Sequence, residues 1–288
     1  MKTTSCSIAL LLGALLLFSA KVEKDKSDLK KILTKSFVYV PSGNAIVGED
    51  TVAVNGFYIY HIEVTNIDYK EFLADLKKEG DLEKLKIAMI DSVRWNGKNQ
   101  LNEKYVQFYH THPAYNEYPV VNISYEAAQL YCEWIGKKYE VMHSRKLKFR
   151  LMEKAEYIRA ARGDSQSTYS WGTHYLRNQK GQVMCNHTQL TGEHIHRDPE
   201  TNAYQIKVAR MDHNTFMDVL APSKSYWPNQ FELYNMNGNV SEMISEKGIA
   251  MGGSWKDPGY DVRVESERTY TDPSPTVGFR FVVTPVDN

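Results

Sequence analysis

Cysteine is scarce in this chain. Three occur in 288 residues, at positions 6, 132 and 185, and none follows Cys185. So few cannot form the framework of a small disulfide-stapled domain. Net charge is absent too: 35 basic residues balance 35 acidic ones. That balance removes the electrostatic basis for nucleic acid as a partner. No apolar run reaches the ~20 residues that a membrane-spanning helix needs. No internal repeat and no Pro/Ser-rich linker divides the chain. An HExxH helix is missing, and "GNAIVGED" lacks the lysine and the helix of a phosphate loop.

The longest apolar run, "SIALLLGALLLF" from Ser7 to Phe18, follows Lys2 and precedes Ser19 and Ala20. Its length is that of a signal-peptide core. Residues 1–20 are therefore expected to be a signal peptide, and the chain to be exported to the periplasm or to the outer-membrane or cell surface. Phe18 stands where cleavage prefers a small residue, so an uncleaved anchor is the alternative. A lipoprotein signal would carry a cysteine just after the run, whereas Cys6 precedes it. Residues 21–36 read as a charged linker and 37–288 as one domain. The 42% hydrophobic and 24% charged residues suit a soluble globular domain. Nineteen tyrosines and five tryptophans suit a loop-rich core in which amphipathic rings fill gaps and bond backbone groups.

"FVYVPSGNAIVG" and "VAVNGFYIYHIEVT" have the β-branched and aromatic texture of strands. Thr65 then caps a helix in "TNIDYKEFLADLKKEG", with Ile67, Phe72, Leu73 and Leu76 on one face and Gly80 as its stop. A polar segment follows to about residue 110. Ser124 caps a second helix whose face is Ala127, Leu130, Tyr131, Trp134 and Ile135. Cys132 within it reads as a small buried hydrophobe, with a disulfide to Cys185 as the alternative. "FRLMEKAEYIRAARG" gives a strand fragment and a third helix that ends at Gly163. Beyond it the pattern predicts turns and short strands but no further long helix.

"LYNMNGNVSEM", residues 233–243, sets three asparagines and a glycine in one short stretch. Such residues form tight turns with positive φ. Their side chains and carbonyls are also hard oxygen ligands of the kind calcium takes. The turn is either closed on itself or built around an ion. His174, His187, His194, His196 and His213 lie in one region, and His110 and His112 in another. Exposed loop histidines are the plainer reading of both groups. No Ser-His-Asp set or carboxylate pair is legible.

In order along the chain, "FVYVPSG", "GFYIYHIEVTN", "YPVVNISYEAAQLYCEW", "FRLMEKAEYIRAARG", "YSWG", "NMNGNVSEM", "GGSW" and "GFRF" resemble the formylglycine-generating-enzyme family, also called the sulfatase-modifying-factor domain. The family's Pro-Thr before the third helix is replaced by Met152-Glu153. The resemblance implies an irregular α+β fold related to C-type lectins. It implies a calcium site made by the Asn235 side chain, the Gly238 and Val240 carbonyls and the Glu242 carboxylate. A second calcium site would start at Asn186 and His187, with Asp212, Asn214 and Asp218 competing to complete it. Catalytic members use two cysteines after the GGS-aromatic segment to bind copper. The matching positions here are Asp257 and Val262, so the resemblance implies no copper, no catalytic residue and no oxidase activity.

Within the family the chain is most similar to exported Bacteroidetes proteins, including lipoproteins of gliding motility and type IX secretion. Three roles follow. A non-catalytic structural or binding component would meet a protein partner in the cell envelope, through residues 86–112 and 179–217. A divergent enzyme would gather polar groups near Ser254, Asp257 and Arg280. A lectin-like carbohydrate or peptide binder would use Trp171, Trp227, Trp255 and Tyr260.

Overall fold

A computed structural model describes residues 36–96, 103–190, 195–206 and 220–285, together with Leu29, Ile32 and Leu33. The chain divides into two units, residues 1–37 and 38–288. In the first, the Leu33 N–H bonds the Leu29 carbonyl at 2.7 Å, a single helical turn within the expected linker. The expected signal peptide lies outside the described residues.

The strands begin with β1 (Phe37–Val40), the hairpin β2 (Gly43–Val47) and β3 (Asp50–Val54), and β4 (Phe57–Tyr60). Helix α1 (Asn66–Glu79) starts where Thr65 caps it. The Thr65 hydroxyl accepts the Asp68 N–H, and the Asp68 carboxylate accepts the Thr65 N–H in return. Gly80 ends the helix with φ 74°, a conformation that costs a side-chain-bearing residue more. The buried face is Asn66, Tyr69, Phe72 and Leu76 rather than the expected set, because Ile67 points to solvent. The expected polar segment is partly helical: α2 (Leu82–Ala88), a 3₁₀ turn at Ser92–Trp95 and α3 (Glu103–Phe108).

Helix α4 (Tyr125–His143) begins at its Ser124 cap and buries Ala127, Tyr131, Cys132 and Trp134. Strand β5 (Leu147–Leu151) leads to α5 (Lys154–Arg162), which Gly163 ends. Short strands complete the fold: β6 (Ile195–Arg197), β7 (Tyr204–Ile206), β8 (Ser241–Met243), β9 (Ile249–Met251), β10 (Glu267–Thr269), β11 (Val277–Phe279) and β12 (Phe281–Pro285). Among the described residues no α-helix follows α5, and no helix is long and apolar enough to cross a membrane.

One sheet runs β1-β4-β12-β5 and another β10-β9-β8-β11; β2–β3 and β6–β7 are separate hairpins. Strand β12 is antiparallel to both neighbours, setting Val282 opposite Ile59 and Arg150. Strands β8 and β11 are parallel, with Ser241 opposite Val277. One apolar cluster joins Ile59 and Val282 of the first sheet to Tyr157, Ala160 and Ala161 of α5 and to Met251 of β9. Tyrosines bond backbone groups as their number suggests: Tyr69 reaches the Ala88 carbonyl at 2.8 Å and Tyr109 that of Pro119 at 2.7 Å. Cys132 and Cys185 are both free and buried, so the alternative of a disulfide between them is corrected.

A candidate metal-binding turn beside a replaced cleft

The stretch 233–243 leads into β8 through backbone that turns left three times. Asn235, Gly238 and Asn239 have φ of 52°, 74° and 59°. A side chain on Gly238 would run into the Asn186 carbonyl at 2.4 Å, so glycine is required there on two counts. The turn is fastened from both sides. Gly238 N–H bonds the Gly252 carbonyl, and Asn239 N–H bonds that of Asn186.

The three asparagine side chains act as fasteners. Asn239 donates to both oxygens of Glu63 at 3.0 Å, and its own oxygen accepts from the Ala221 N–H at 2.8 Å and the Asn186 amide at 3.1 Å. Asn235 donates to Glu63 at 3.1 Å and to the Ser223 carbonyl at 3.1 Å. Asn237 accepts the Ser170 N–H at 2.8 Å. Next to them lies a buried ion pair. Arg280 Nε is 3.2 Å from each Glu242 oxygen, and Nη2 is 2.8 Å from Oε1. The same guanidinium donates to the His61 and Tyr234 carbonyls at 3.0 and 2.6 Å. Burial raises the Glu242 pKa, and Arg280 opposes that shift. Glu63 is pushed up to about 8, first by burial, while Arg280 and the two amides work against the change.

The calcium ligands expected of this turn can be tested against the cluster. Asn235 Oδ1 is buried and has no hydrogen-bond partner among the described residues. An orphaned, buried amide oxygen, on a residue whose amide nitrogen bonds the Glu63 carboxylate, is a donor of the kind a hard cation takes. A carboxylate has about four acceptor positions, and Arg280 fills three at Glu242, leaving one. The residues fit the ion: Asn235, Glu242 and the Gly238 and Val240 carbonyls would hold it, and it would supply structural charge balance. At the second expected site the Asn186 amide is committed to Asn239, and His187 Nδ1 lies 3.1 Å from the Cys185 carbonyl. Asp212, Asn214 and Asp218 lie outside the described residues, as do His194 and His213. Among the described residues no three His, Cys, Asp or Glu side chains gather as a metal site.

The loop after β9 differs in kind. Asp257 Oδ2 accepts the Ser254 N–H and hydroxyl, each at 2.7 Å, while Oδ1 pairs with Arg268. Arg268 also donates to the Thr276 hydroxyl at 2.9 Å. Val262 is fully buried and packs with Tyr169 and Cys185. Burial pushes the Cys185 thiol up to about 12, which keeps it protonated and unreactive. Ser254 and Asp257 thus come together, whereas the Arg280 guanidinium is engaged with Glu242. Of the aromatic residues considered for a lectin surface, Trp255 is buried and Trp171 stacks on Tyr169, while Trp227 and Tyr260 are exposed.

A family model, the sulfatase-modifying factor enzyme 1-like domain, matches residues 22–285. The chain belongs to this family. It is 26% identical over 281 residues to mouse formylglycine-generating enzyme, covering 85% of this chain and 64% of that one, just under two thirds. A bovine relative, inactive C-alpha-formylglycine-generating enzyme 2, is 24% identical over 267 residues, covering 78% of this chain and 77% of its own. The solved structure of CarF aligns with a TM-score of 0.55 at 21% identity, over 87% of this chain and 98% of CarF. PvdO from Pseudomonas aeruginosa aligns at 0.53 and 16%, over 86% and 93%. At these identities the solved structures establish the fold alone, and that fold is the irregular α+β class expected.

Glu63 and Arg268 were not singled out in the sequence. Glu63 had one legible sign, a carboxylate inside the strand-like "YIYHIEVT". Arg268 had none, because its partners are set by loop packing.

Proposed function

We propose that this chain is a non-catalytic member of its family: an exported envelope protein that acts as a structural or binding component, of the kind found in gliding-motility and type IX secretion machinery, with calcium as a structural ion. One observation carries the reading. At the positions matched to the copper-binding cysteines stand Asp257, held by Ser254 and Arg268, and Val262, buried in an apolar cluster. A carboxylate and a valine do not supply the two soft thiolates that bind Cu(I). The naming of one relative as inactive adds support.

The contact surface is assigned to residues 86–112 and 179–217. Its described part exposes Ile87, Met89, Val93 and Phe108 and includes the half-exposed Arg94, side chains of the size that anchor protein interfaces. Two measurements test the reading. Incubation with a sulfatase-type cysteine peptide, with and without copper, is expected to yield no formylglycine, and aldehyde above background overturns the non-catalytic assignment. Crosslinking and affinity purification from native envelopes is expected to recover a protein partner that deletions in the two segments release. Recovery of uncrosslinked chain alone sinks the binding role.

A further inference from the structure

We infer that the free edge of β3 is a docking site for an extended segment of another polypeptide, which adds to the β2–β3 hairpin as a third strand. The hairpin pairs in register from Gly43 opposite Val54 to Val47 opposite Asp50. It is anchored at its base: Ala45 and Val54 join the core, and the Arg159 guanidinium packs against Gly43 too closely to admit a side chain there. Beyond that base β3 is bare. Asp50, Thr51, Val52 and Ala53 are all exposed, on both faces of the strand. The two-residue turn at Gly48 and Glu49 makes Val47 and Asp50 a bonded pair, and bonding alternates along an antiparallel ladder. Thr51 and Ala53 therefore turn their N–H and C=O groups away from β2. Among the described residues no hydrogen bond reaches those groups. The ends of the two four-stranded sheets are treated differently. Strand β1 runs into Pro41, β5 carries Lys148 and Arg150, β10 carries Glu267 and Arg268, and β11 is buried. Proline, charge and burial keep an edge from pairing with other chains, and β3 has none of these from Thr51 to Ala53.

The edge selects its occupant. Donors and acceptors repeat about every 6.8 Å along a strand edge, two residues of rise. An extended main chain presents both at that spacing. Size argues against a second copy of this chain. Stable interfaces use about 20–30 residues a side, and the bare edge has four. A short added strand holds by main-chain bonds instead. Charge sets its composition. Glu49 and Asp50 are exposed at the turn, and among the described residues no cation pairs with either. The added segment therefore carries Lys or Arg where it passes the turn, and β-branched residues beside Val52, which is 38% exposed. The site is separate from residues 86–112 and 179–217, and it stands whether or not the chain is catalytic.

The test uses the full chain and a fluorescently labelled synthetic hexapeptide, Lys-Val-Thr-Val-Thr-Val, followed by anisotropy. Binding is expected to saturate. Ala53→Pro removes an N–H that faces away from β2, so the hairpin tolerates it and Tm should hold, while the peptide should bind at least about tenfold more weakly. Exchanging the peptide's lysine for aspartate should weaken binding in the same direction. Peptides N-methylated at alternate residues supply a readout that no folding defect in the protein can mimic. One set should bind as before, and the other, whose methyl groups face β3, should lose binding. No saturable binding overturns the proposal. So does binding indifferent to Ala53→Pro, or equal binding by both methylated sets. Sedimentation that shows a dimer removed by Ala53→Pro also overturns it, because β3 would then pair with its own copy.

Discussion

The turn at 235–242 and the loop at 253–262 are neighbours built to opposite standards. They are tied through the backbone, by Gly238 to Gly252 and by Trp255 to Asn239. The turn keeps its three asparagines and Glu242 and connects each of these side chains to distant parts of the chain. The loop keeps its glycines and Ser254, while its two positions matched to catalytic cysteines hold a local hydrogen-bond acceptor and a packing residue. The turn's asparagines and Arg280 hold several segments together at once, so any change there is felt across the core. The loop's two residues hold little beyond themselves. On the reading proposed above, chemistry could depart from the loop without loss of the fold.

Four measurements would break or sharpen this contrast. The largest effect is expected at Arg280. Arg280→Met leaves Glu242 and Glu63 buried without their cation, and chemical denaturation should show a loss of about 3–5 kcal/mol; a loss below about 1 kcal/mol would show that the turn is no more demanding than the loop. Next comes calcium. Binding to the native state alone should add about 2.7 kcal/mol at a hundredfold excess over Kd, chelation should lower Tm, and Asn235→Ala should abolish that response. A melting curve indifferent to both would leave the turn a fastener with no ion.

Asp257→Ala should cost about 2 kcal/mol, within the range for hydrogen bonds to a charged group. Arg268 is partly exposed and regains water, so the cost should stay well under that at Arg280; parity would erase the distinction. The fourth measurement belongs to neither region. His110, expected on an exposed loop, is instead buried, because its ring turns inward and donates from Nδ1 to the Asn66 side-chain oxygen at 3.0 Å. Burial, then Lys70, lowers its pKa from 6.5 to about 3. The unfolded chain takes up this proton below 6.5 and the folded chain does not, so stability is full above 6.5 and falls with acid until about 3. The slope from this one group is about 1.4 kcal/mol per pH unit. His110→Asn should flatten the stability profile between pH 6 and pH 4 by about that slope, and an unchanged profile would refute the assignment.

What was legible in the sequence was local. The Thr65 cap, the Gly80 stop, the Ser124 cap and the left-handed Asn/Gly turn follow from neighbouring residues and were all foreseen. The face of α1 was misjudged at Ile67, because Tyr69 with its hydroxyl is the residue that reaches inward. The helices between Leu82 and Phe108 are too short for periodicity to reveal. The site was half legible: its asparagines and Glu242 stood in one motif, but Glu63 meets Asn235 across 172 positions of sequence. No local pattern encodes that meeting.

Strand β12 has a consequence for how the chain is made. It lies between β4 and β5, and Val282 pairs with Ile59, a residue synthesised more than two hundred positions earlier. Residues 37–151 therefore supply three strands of a sheet whose fourth member arrives much later. At about 5–20 residues per second the ribosome leaves β4 and β5 without their shared neighbour for several seconds or more. During that interval their facing edges are open to other strands. A nascent chain of this fold is exposed to wrong pairing for as long as its synthesis lasts, and a binder that covers those two edges until Phe281–Pro285 emerge would raise the yield of native protein.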